Sequence, residues 1–288
     1  TAMRQSIILS FLLLIFSLLA ALNTAIADTS SALLAMEDPQ NPLIRISTSQ
    51  GEIYLELFPF EAPSNVENFI ALAEAEKEFT NPDTGELIQA RYYNGMRFHR
   101  VVPGFVIQAG SPVYNPLGVQ VTLLNDEINA DALGLDQISA LNPDGSFADV
   151  LNIESRSDFH EDILTPLYAQ RNITDVEAAV NSQFQVLKAL QNLSIKAVYE
   201  NQGYRYDDSR TSRPIERGTV ALANSGPDSN GPEFFISLTA AASLSGKYTV
   251  IGEVVEGQEV MDRIGNTAIE PDQFSSLSTL IYSVRKAN

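Results

Sequence analysis

The sequence predicts a mainly β protein: a closed antiparallel sheet with two helices, interrupted by an α-helical insertion. Short β-branched and aromatic stretches recur along the chain and are separated by Gly and Pro turns. This pattern favours a closed antiparallel sheet over a parallel one. Residues 131–213 differ, because they are richer in Asn, Asp, Gln and Ala and follow a helical period.

The N-terminal segment has the pattern of an export signal. Met3 and Arg4 form a short positive region, and an uncharged apolar run follows over residues 7–22. Residues 25–27 (Ala-Ile-Ala) match a small-x-small cleavage site. We therefore predict a cleaved signal peptide over residues 1–27 and a periplasmic or secreted protein. The alternative is an uncleaved helix that anchors the chain in the inner membrane.

The next elements are predicted from turn residues and helix caps. Residues 28–42 are small and polar and are interpreted as a linker. A hairpin is expected over residues 43–57, where a turn cluster lies between alternating apolar positions. Ser64 and Glu67 form a capping box ahead of an apolar helical face. The second short helix is expected over residues 257–264, and further strands over 97–108, 119–124, 219–223, 234–237, 249–255 and 280–284.

The insertion is predicted to contain one long helix. Thr174 and Glu177 form a second capping box, and Gly203 lies where a C-cap glycine belongs. No complete independent core is visible, so we interpret residues 131–213 as an insertion rather than a second domain. The helix is expected to pack its apolar stripe on the sheet rather than bind a partner. The stripe consists of Val176, Val180, Phe184, Leu187, Leu190 and Val198.

Composition excludes several classes of function. The chain of 288 residues has a formal net charge of -18, which disfavours binding to nucleic acid or anionic membranes. It contains no cysteine, so disulfides and thiolate chemistry are excluded. The two histidines, His99 and His160, are too few for a multi-histidine metal centre.

Two ordered blocks of residues carry the functional signal. Residues 98–110 have the sequence FHRVVPGFVIQAG, and residues 223–237 have the sequence ANSGPDSNGPEFFIS. The second block is followed by LSGKY over residues 244–248. Together with the opening segment 44–73, these blocks resemble the cyclophilin family of peptidyl-prolyl cis/trans isomerases.

The resemblance covers about residues 43–128 and 214–288, so an isomerase domain is expected over residues 43–288. It implies an eight-stranded closed antiparallel barrel capped by two helices. It also implies catalysis of rotation about X–Pro bonds in proline-containing polypeptide clients, without a cofactor or metal. Membrane contact is expected only if the N-terminal segment is uncleaved.

The resemblance implies roles for particular residues. Arg100 would donate a hydrogen bond to the prolyl nitrogen, which suits a permanent charge with donors in a planar fork. Gln108 would anchor a substrate carbonyl, and the backbone of Ala223 and Asn224 would hold the peptide extended. The proline pocket would be lined by Phe105, Val106, Phe235 and Leu244.

Three further residues near this site require separate interpretation. Tyr248 replaces a histidine common in eukaryotic members and still offers a ring and a donor. Glu233 stands where glutamine is usual, and its carboxylate could either orient Arg100 or neutralise the field of that cation. His99 should face away from Arg100, because neighbours in a strand alternate between faces, and we interpret it as structural.

A binding function is the alternative to catalysis. The pocket would then hold proline-containing segments with slow turnover or none, and the insertion would supply the main function, as in a chaperone or interaction module. Glu233 and the long insertion are the features that keep this hypothesis open.

Overall fold

Ten strands are found in the computed structural model, which describes residues 27–81, 84–119, 121–270 and 278–288. They are β1 (Leu43–Thr48), β2 (Gly51–Leu57), β3 (Glu78–Thr80), β4 (Leu87–Gln89), β5 (Arg100–Val102), β6 (Val106–Ala109), β7 (Thr219–Leu222), β8 (Phe234–Ser237), β9 (Val250–Glu256) and β10 (Ile281–Lys286). Eight of them form one sheet in the order β10-β1-β2-β9-β7-β8-β6-β5, and β3 pairs with β4. All neighbouring strands of this sheet are antiparallel. The prediction of a mainly β fold built on an antiparallel sheet is confirmed.

The sheet is a strongly curled half-barrel, and the prediction of a closed barrel is not confirmed. Strands β5 and β10 are its edges and do not form a ladder with each other. β5 is three residues long, and the gap beside it is crossed by an isolated bridge between Arg97 and Leu280. The strand predicted over residues 119–124 is also wrong, because in the described part of this segment only Leu124 forms a bridge, to Asn230.

Two helices pack against the sheet as expected. They are α2 (Pro63–Glu74) and α7 (Gln258–Gly265). The capping box predicted at Ser64 is wrong, because α2 has Ala62 as its N-cap without a side-chain hydrogen bond. Instead the carboxylate of Glu127 accepts the N–H of Ser64 at 3.1 Å and that of Asn65 at 3.0 Å. A distant acidic side chain therefore satisfies the helix start.

The segment predicted as a linker is a packed part of the fold. Residues 28–42 include α1 (Thr29–Ala35), whose N-cap is Asp28. Ala32 and Met36 are buried in a cluster with residues of β1, β2 and β9. The contiguous apolar run over residues 32–36 shows no helical period, and the burial of this segment depends on contacts with the sheet. The predicted signal peptide, residues 1–27, lies outside the described residues except for Ala27.

The insertion contains several helices rather than one. They are α3 (Arg156–Asp158), a π-helical segment (Phe159–Leu164), α4 (Thr165–Gln170), α5 (Val176–Leu190) and α6 (Ile195–Asn201). The predicted long helix is divided in two because Ser194 caps α6 through a hydrogen bond from the N–H of Ala197. The N-cap of α5 is Asp175 rather than Thr174.

The insertion also has its own apolar core, which the sequence did not indicate. The core consists of Ala130, Leu135, Ala140, Leu151, Ile163, Ile195, Val198 and Tyr199. It meets the sheet domain near residues 246–247, where the Tyr206 hydroxyl donates to the Gly246 carbonyl at 2.9 Å and the Lys247 ammonium lies 5.2 Å from the Tyr199 ring centroid.

The apolar stripe of α5 does not pack on the sheet, so that prediction is wrong. Val176, Val180, Phe184 and Leu187 are all exposed, and Val186 is the buried residue of this helix. Of the predicted stripe, only Leu190 and Val198 contact the core of the insertion. No helix within the described ranges is long and apolar enough to cross a bilayer.

Candidate active site

The register of the sheet aligns four side chains in one row. Arg100 of β5 is opposite Gln108 of β6, and Gln108 is opposite Phe235 of β8. Phe235 is in turn opposite Ala221 of β7. Residues directly opposite on neighbouring strands project from the same face of a sheet. The guanidinium, the amide and the aromatic ring are therefore brought together by strand pairing.

The other face of the same strands forms the main core. Phe234, which precedes Phe235 in β8, is fully buried and packs against the rings of Phe69, Tyr93 and Phe98. Because side chains alternate along a strand, this packing holds Phe235 on the opposite face. The aromatic core thus supports the strand that carries the site.

A cavity of about 280 Å³ lies above the row. The residues that line it are Arg100, Phe105, Val106, Gln108, Ala223, Asn224, Phe235, Leu244 and Tyr248. Nine of the ten residues predicted for the site thus surround one cavity, while their roles in binding and catalysis stay predictions. None of the nine belongs to residues 131–213, so the insertion does not line this cavity.

One side of the cavity is apolar and well packed. Phe235 and Tyr248 meet edge to face, with ring centroids 5.4 Å apart. Val106 and Phe235 are buried, and Phe105 and Leu244 pack against the same cluster. Burial raises the pKa of the Tyr248 hydroxyl, while the charge of Arg100 opposes this shift, so the phenol stays neutral at physiological pH. The result is a slot suited to a small apolar ring.

The other side of the cavity carries a fixed cation. The Nη1 atom of Arg100 donates a hydrogen bond to Oε1 of Gln108 at 3.1 Å. Arg100 forms no salt bridge with any residue that the structure describes. Since a guanidinium has five N–H donors, donors of Arg100 remain for a ligand in the cavity.

Glu233, the tenth predicted residue, lies outside this cavity and acts on it through Gln108. Its Oε1 atom accepts hydrogen bonds from the Gln108 amide and from His99, the latter at 2.9 Å. The carboxylate does not contact Arg100 in a salt bridge. Four side chains, His99, Glu233, Gln108 and Arg100, therefore form one continuous hydrogen-bonded chain.

Glu233, as a hydrogen-bond acceptor, determines which way the Gln108 amide points. An ionised carboxylate is only an acceptor, so Gln108 must present its NH₂ group to Glu233. Its carbonyl oxygen then faces Arg100 and can only accept. Burial by itself would raise the pKa of Glu233, but the hydrogen bonds from His99 and Gln108 outweigh it and hold the pKa below its ordinary value.

His99 is buried, as expected for a structural residue, but it contributes more than packing. It is 3% exposed, and its ring lies 5.0 Å from that of Tyr114. Because its Nε2 atom contacts the Glu233 carboxylate, the imidazole carries its proton on Nε2 and donates it. The alternation of side chains along a strand could not predict the contact between His99 and Glu233, because Glu233 precedes β8 and its side chain need not follow the alternation of that strand.

Backbone and side-chain hydrogen bonds hold the loop after β7 beside the cavity. The N–H of Ala223 donates to the Glu233 carbonyl at 2.9 Å, and the Asn224 amide donates to the Lys247 carbonyl at 3.0 Å. A second cavity of about 290 Å³ adjoins this loop and shares Gln108, Ala223 and Asn224 with the first. Glu233 also lines this second cavity, and sequence reasoning did not identify its other lining residues, which are Pro112, Leu123, Ser225, Ser229, Gly231 and Pro232.

Comparisons with known proteins show the family of the chain. The family model described as "Cyclophilin type peptidyl-prolyl cis-trans isomerase/CLD" matches residues 43–285. The chain is 28% identical over 228 residues to peptidyl-prolyl cis-trans isomerase B of Streptomyces anulatus, covering 78% of this chain and 85% of that protein. It is 24% identical over 247 residues to the probable peptidyl-prolyl cis-trans isomerase A of Mycobacterium leprae, covering 85% of this chain and 92% of that one.

Two further similarities are weaker or partial. Peptidylprolyl isomerase domain and WD repeat-containing protein 1 of Mus musculus is 25% identical, and the match spans 21% of its length. A crystal structure of a Cryptosporidium parvum cyclophilin type peptidyl-prolyl cis-trans isomerase, determined in the presence of the dipeptide Ala-Pro, superimposes with a TM-score of 0.46 at 17% identity. The match covers 85% of this chain and 99% of that one.

The ionisation of Glu233 can be measured directly. In an NMR titration of the labelled side-chain carboxyl, its pKa should lie below the ordinary value for glutamate. A His99→Phe variant should show a higher pKa, because burial is then less opposed. Since the pKa is lowered by folding, the carboxylate stabilises the fold above the unfolded-state pKa and loses that effect as pH falls through the folded-state pKa.

Two results would contradict this assignment: a wild-type pKa at or above the ordinary value, or an unchanged pKa in a well-folded His99→Phe protein. If the His99→Phe spectrum shows a disturbed fold, the wild-type titration alone decides.

Proposed function

The chain belongs to the cyclophilin-type peptidyl-prolyl cis-trans isomerase family, and from this premise we propose that Arg100 and its cavity catalyse rotation about X–Pro bonds in exported polypeptides. The single observation that carries the proposal is the guanidinium held by Gln108 at the rim of an apolar slot.

The reaction requires stabilisation of a twisted amide rather than a covalent step. Rotation about a peptide bond faces a barrier of about 20 kcal/mol, because amide resonance is lost in the twisted state. As resonance is lost, the lone pair localises on the prolyl nitrogen, which then becomes a hydrogen-bond acceptor. A donor aimed at that nitrogen stabilises the twisted state more than either planar state, and this difference is what accelerates the reaction.

The proposed roles follow the geometry of the cavity. The pyrrolidine ring enters the slot between Phe235, Leu244 and Tyr248, and Arg100 donates to the prolyl nitrogen from the polar side. Burying such a ring contributes about 2 kcal/mol to binding. Gln108 holds the guanidinium through its carbonyl, and Glu233 orients Gln108 as a positioning residue.

The loop at Ala223 and Asn224 is proposed to guide the flanking peptide. It is fixed by hydrogen bonds to Glu233 and Lys247 and lines both cavities. A rigid segment at this position favours an extended peptide that passes from one cavity to the other. Such binding through backbone groups tolerates different side chains next to the proline.

Export is proposed from the N-terminal sequence. The positive residues, the apolar run over residues 7–22 and the Ala-Ile-Ala sequence at residues 25–27 support a cleaved signal peptide and a periplasmic or secreted isomerase. The mass of the protein recovered from fractionated cells tests this: a soluble product that begins at Asp28 is expected. A membrane-bound product that retains the apolar run would contradict it and favour the anchored form.

The role of Arg100 is tested by the isomerisation rate. For an Arg100→Ala variant, kcat/KM on a short X–Pro peptide should fall about 100-fold, the loss expected when one transition-state donor is removed. The rate is measured by a protease-coupled assay or by NMR exchange. Arg217→Ala is the matched control, because Arg217 forms an exposed salt bridge with Asp262 away from the cavity; its rate should be unchanged.

A folded Arg100→Ala protein that retains the wild-type isomerisation rate would contradict the proposed mechanism. A wild-type protein that binds proline peptides without accelerating exchange would instead favour the binding-module hypothesis.

A further inference from the structure

The exposed face of α5 is unusual for a solvent-facing helix. Val176, Val180, Phe184 and Leu187 are 80%, 58%, 78% and 53% exposed. At 100° per residue their side chains fall within a stripe about 80° wide. Val186, the buried residue of this helix, lies about 120° around the helix from the centre of the stripe. An apolar stripe of this kind marks an interaction surface rather than an ordinary helix exterior.

We propose that this stripe is the contact between two copies of the chain, with α5 of each copy packed antiparallel against α5 of the other. The proposal is independent of the isomerase function, because α5 does not line either cavity of the site. A second copy is favoured over other occupants by the arrangement of charges along the helix.

The helix carries one charge of each sign, at opposite ends and on the same flank of the stripe. Glu177 lies in the first turn and Lys188 in the last. At 100° per residue both side chains project about 60–80° from Val180 in the same direction. Neither forms a salt bridge with a residue that the structure describes. In an antiparallel pair like flanks meet, so Glu177 of each copy faces Lys188 of the other.

The apolar residues require the same register as the charges. If the two helices cross at the axial level of Ser182, Phe184 of one copy lies level with Val180 of the other, and Leu187 lies within one residue of Val176. Glu177 and Lys188 then also come level within one residue. Because a helix rises 1.5 Å per residue, the three pairings agree to about 2 Å along the axis.

The charge of the rest of the surface also favours α5 as the place where copies meet. The whole chain has a formal net charge of -18, so two copies repel over most of their surface. Within α5 the single Glu and the single Lys cancel. Four apolar side chains from each copy bury less than a standard protein interface, so the dimer should be weak and reversible.

Sedimentation velocity and equilibrium of the full chain test the proposal from about 1 μM to about 1 mM. The wild type should pass from monomer to dimer within this range, and Phe184→Asp should stay monomeric. Lys188→Glu should weaken the dimer about 10-fold, since two ion pairs become repulsive. The double variant Glu177→Lys/Lys188→Glu should restore it, because the two charges are exchanged together.

Controls separate this contact from general surface stickiness. Leu34, 89% exposed on α1, provides the matched variant Leu34→Asp, which should leave the dimer unchanged. All variants should keep the wild-type isomerisation rate, which shows that they are folded. A wild-type protein that stays monomeric up to about 1 mM overturns the proposal. This holds even if the monomer binds apolar peptides through α5. A dimer that persists in Phe184→Asp, or a double variant that does not restore it, overturns the antiparallel pairing.

Discussion

Hydrogen bonding along His99, Glu233, Gln108 and Arg100 is the constraint on which the site depends. A free glutamine side chain can turn either its oxygen or its nitrogen toward a neighbouring guanidinium, and only the oxygen attracts it. The Glu233 carboxylate removes this freedom, because it accepts a hydrogen bond from the Gln108 amide nitrogen and leaves the Gln108 oxygen to face Arg100. Glu233 therefore acts on Arg100 by orienting Gln108, and not through an ion pair that would occupy the donors of Arg100.

The sheet makes this arrangement rigid. Arg100, Gln108 and Phe235 are directly opposite one another on three neighbouring strands, so their spacing is determined by the backbone ladder and not by loop conformation. On the opposite face of the sheet, Phe234 packs against three aromatic rings. A donor that is already in place when the amide twists costs no reorganisation during the reaction. In the proposed mechanism, the fold thus supplies the positioned donor that the reaction requires.

Sequence reasoning was most successful where the chain resembles a known family and least successful where tertiary contacts decide. The two motif blocks and the LSGKY segment over residues 244–248 predicted Arg100 and the eight other residues that line the cavity. They did not show that Glu233 acts through Gln108, because that depends on which side chains meet at a strand end. The helix in residues 28–42 was missed since its burial comes from the sheet. The helical period correctly placed Val176, Val180, Phe184 and Leu187 on one face of α5, but periodicity cannot show whether a neighbouring element covers that face.

The most direct test of the orienting role of Glu233 compares two substitutions by NMR exchange spectroscopy on an X–Pro peptide. Glu233→Gln keeps an oxygen that can accept from Gln108, so kcat should stay within about threefold of the wild type. Glu233→Leu removes the acceptor, and kcat should fall about 10-fold with little change in KM, the loss expected for one hydrogen bond that positions a donor. If both variants are faster than the wild type, the carboxylate opposes the field of Arg100, and Glu233 does not act as an orienting group.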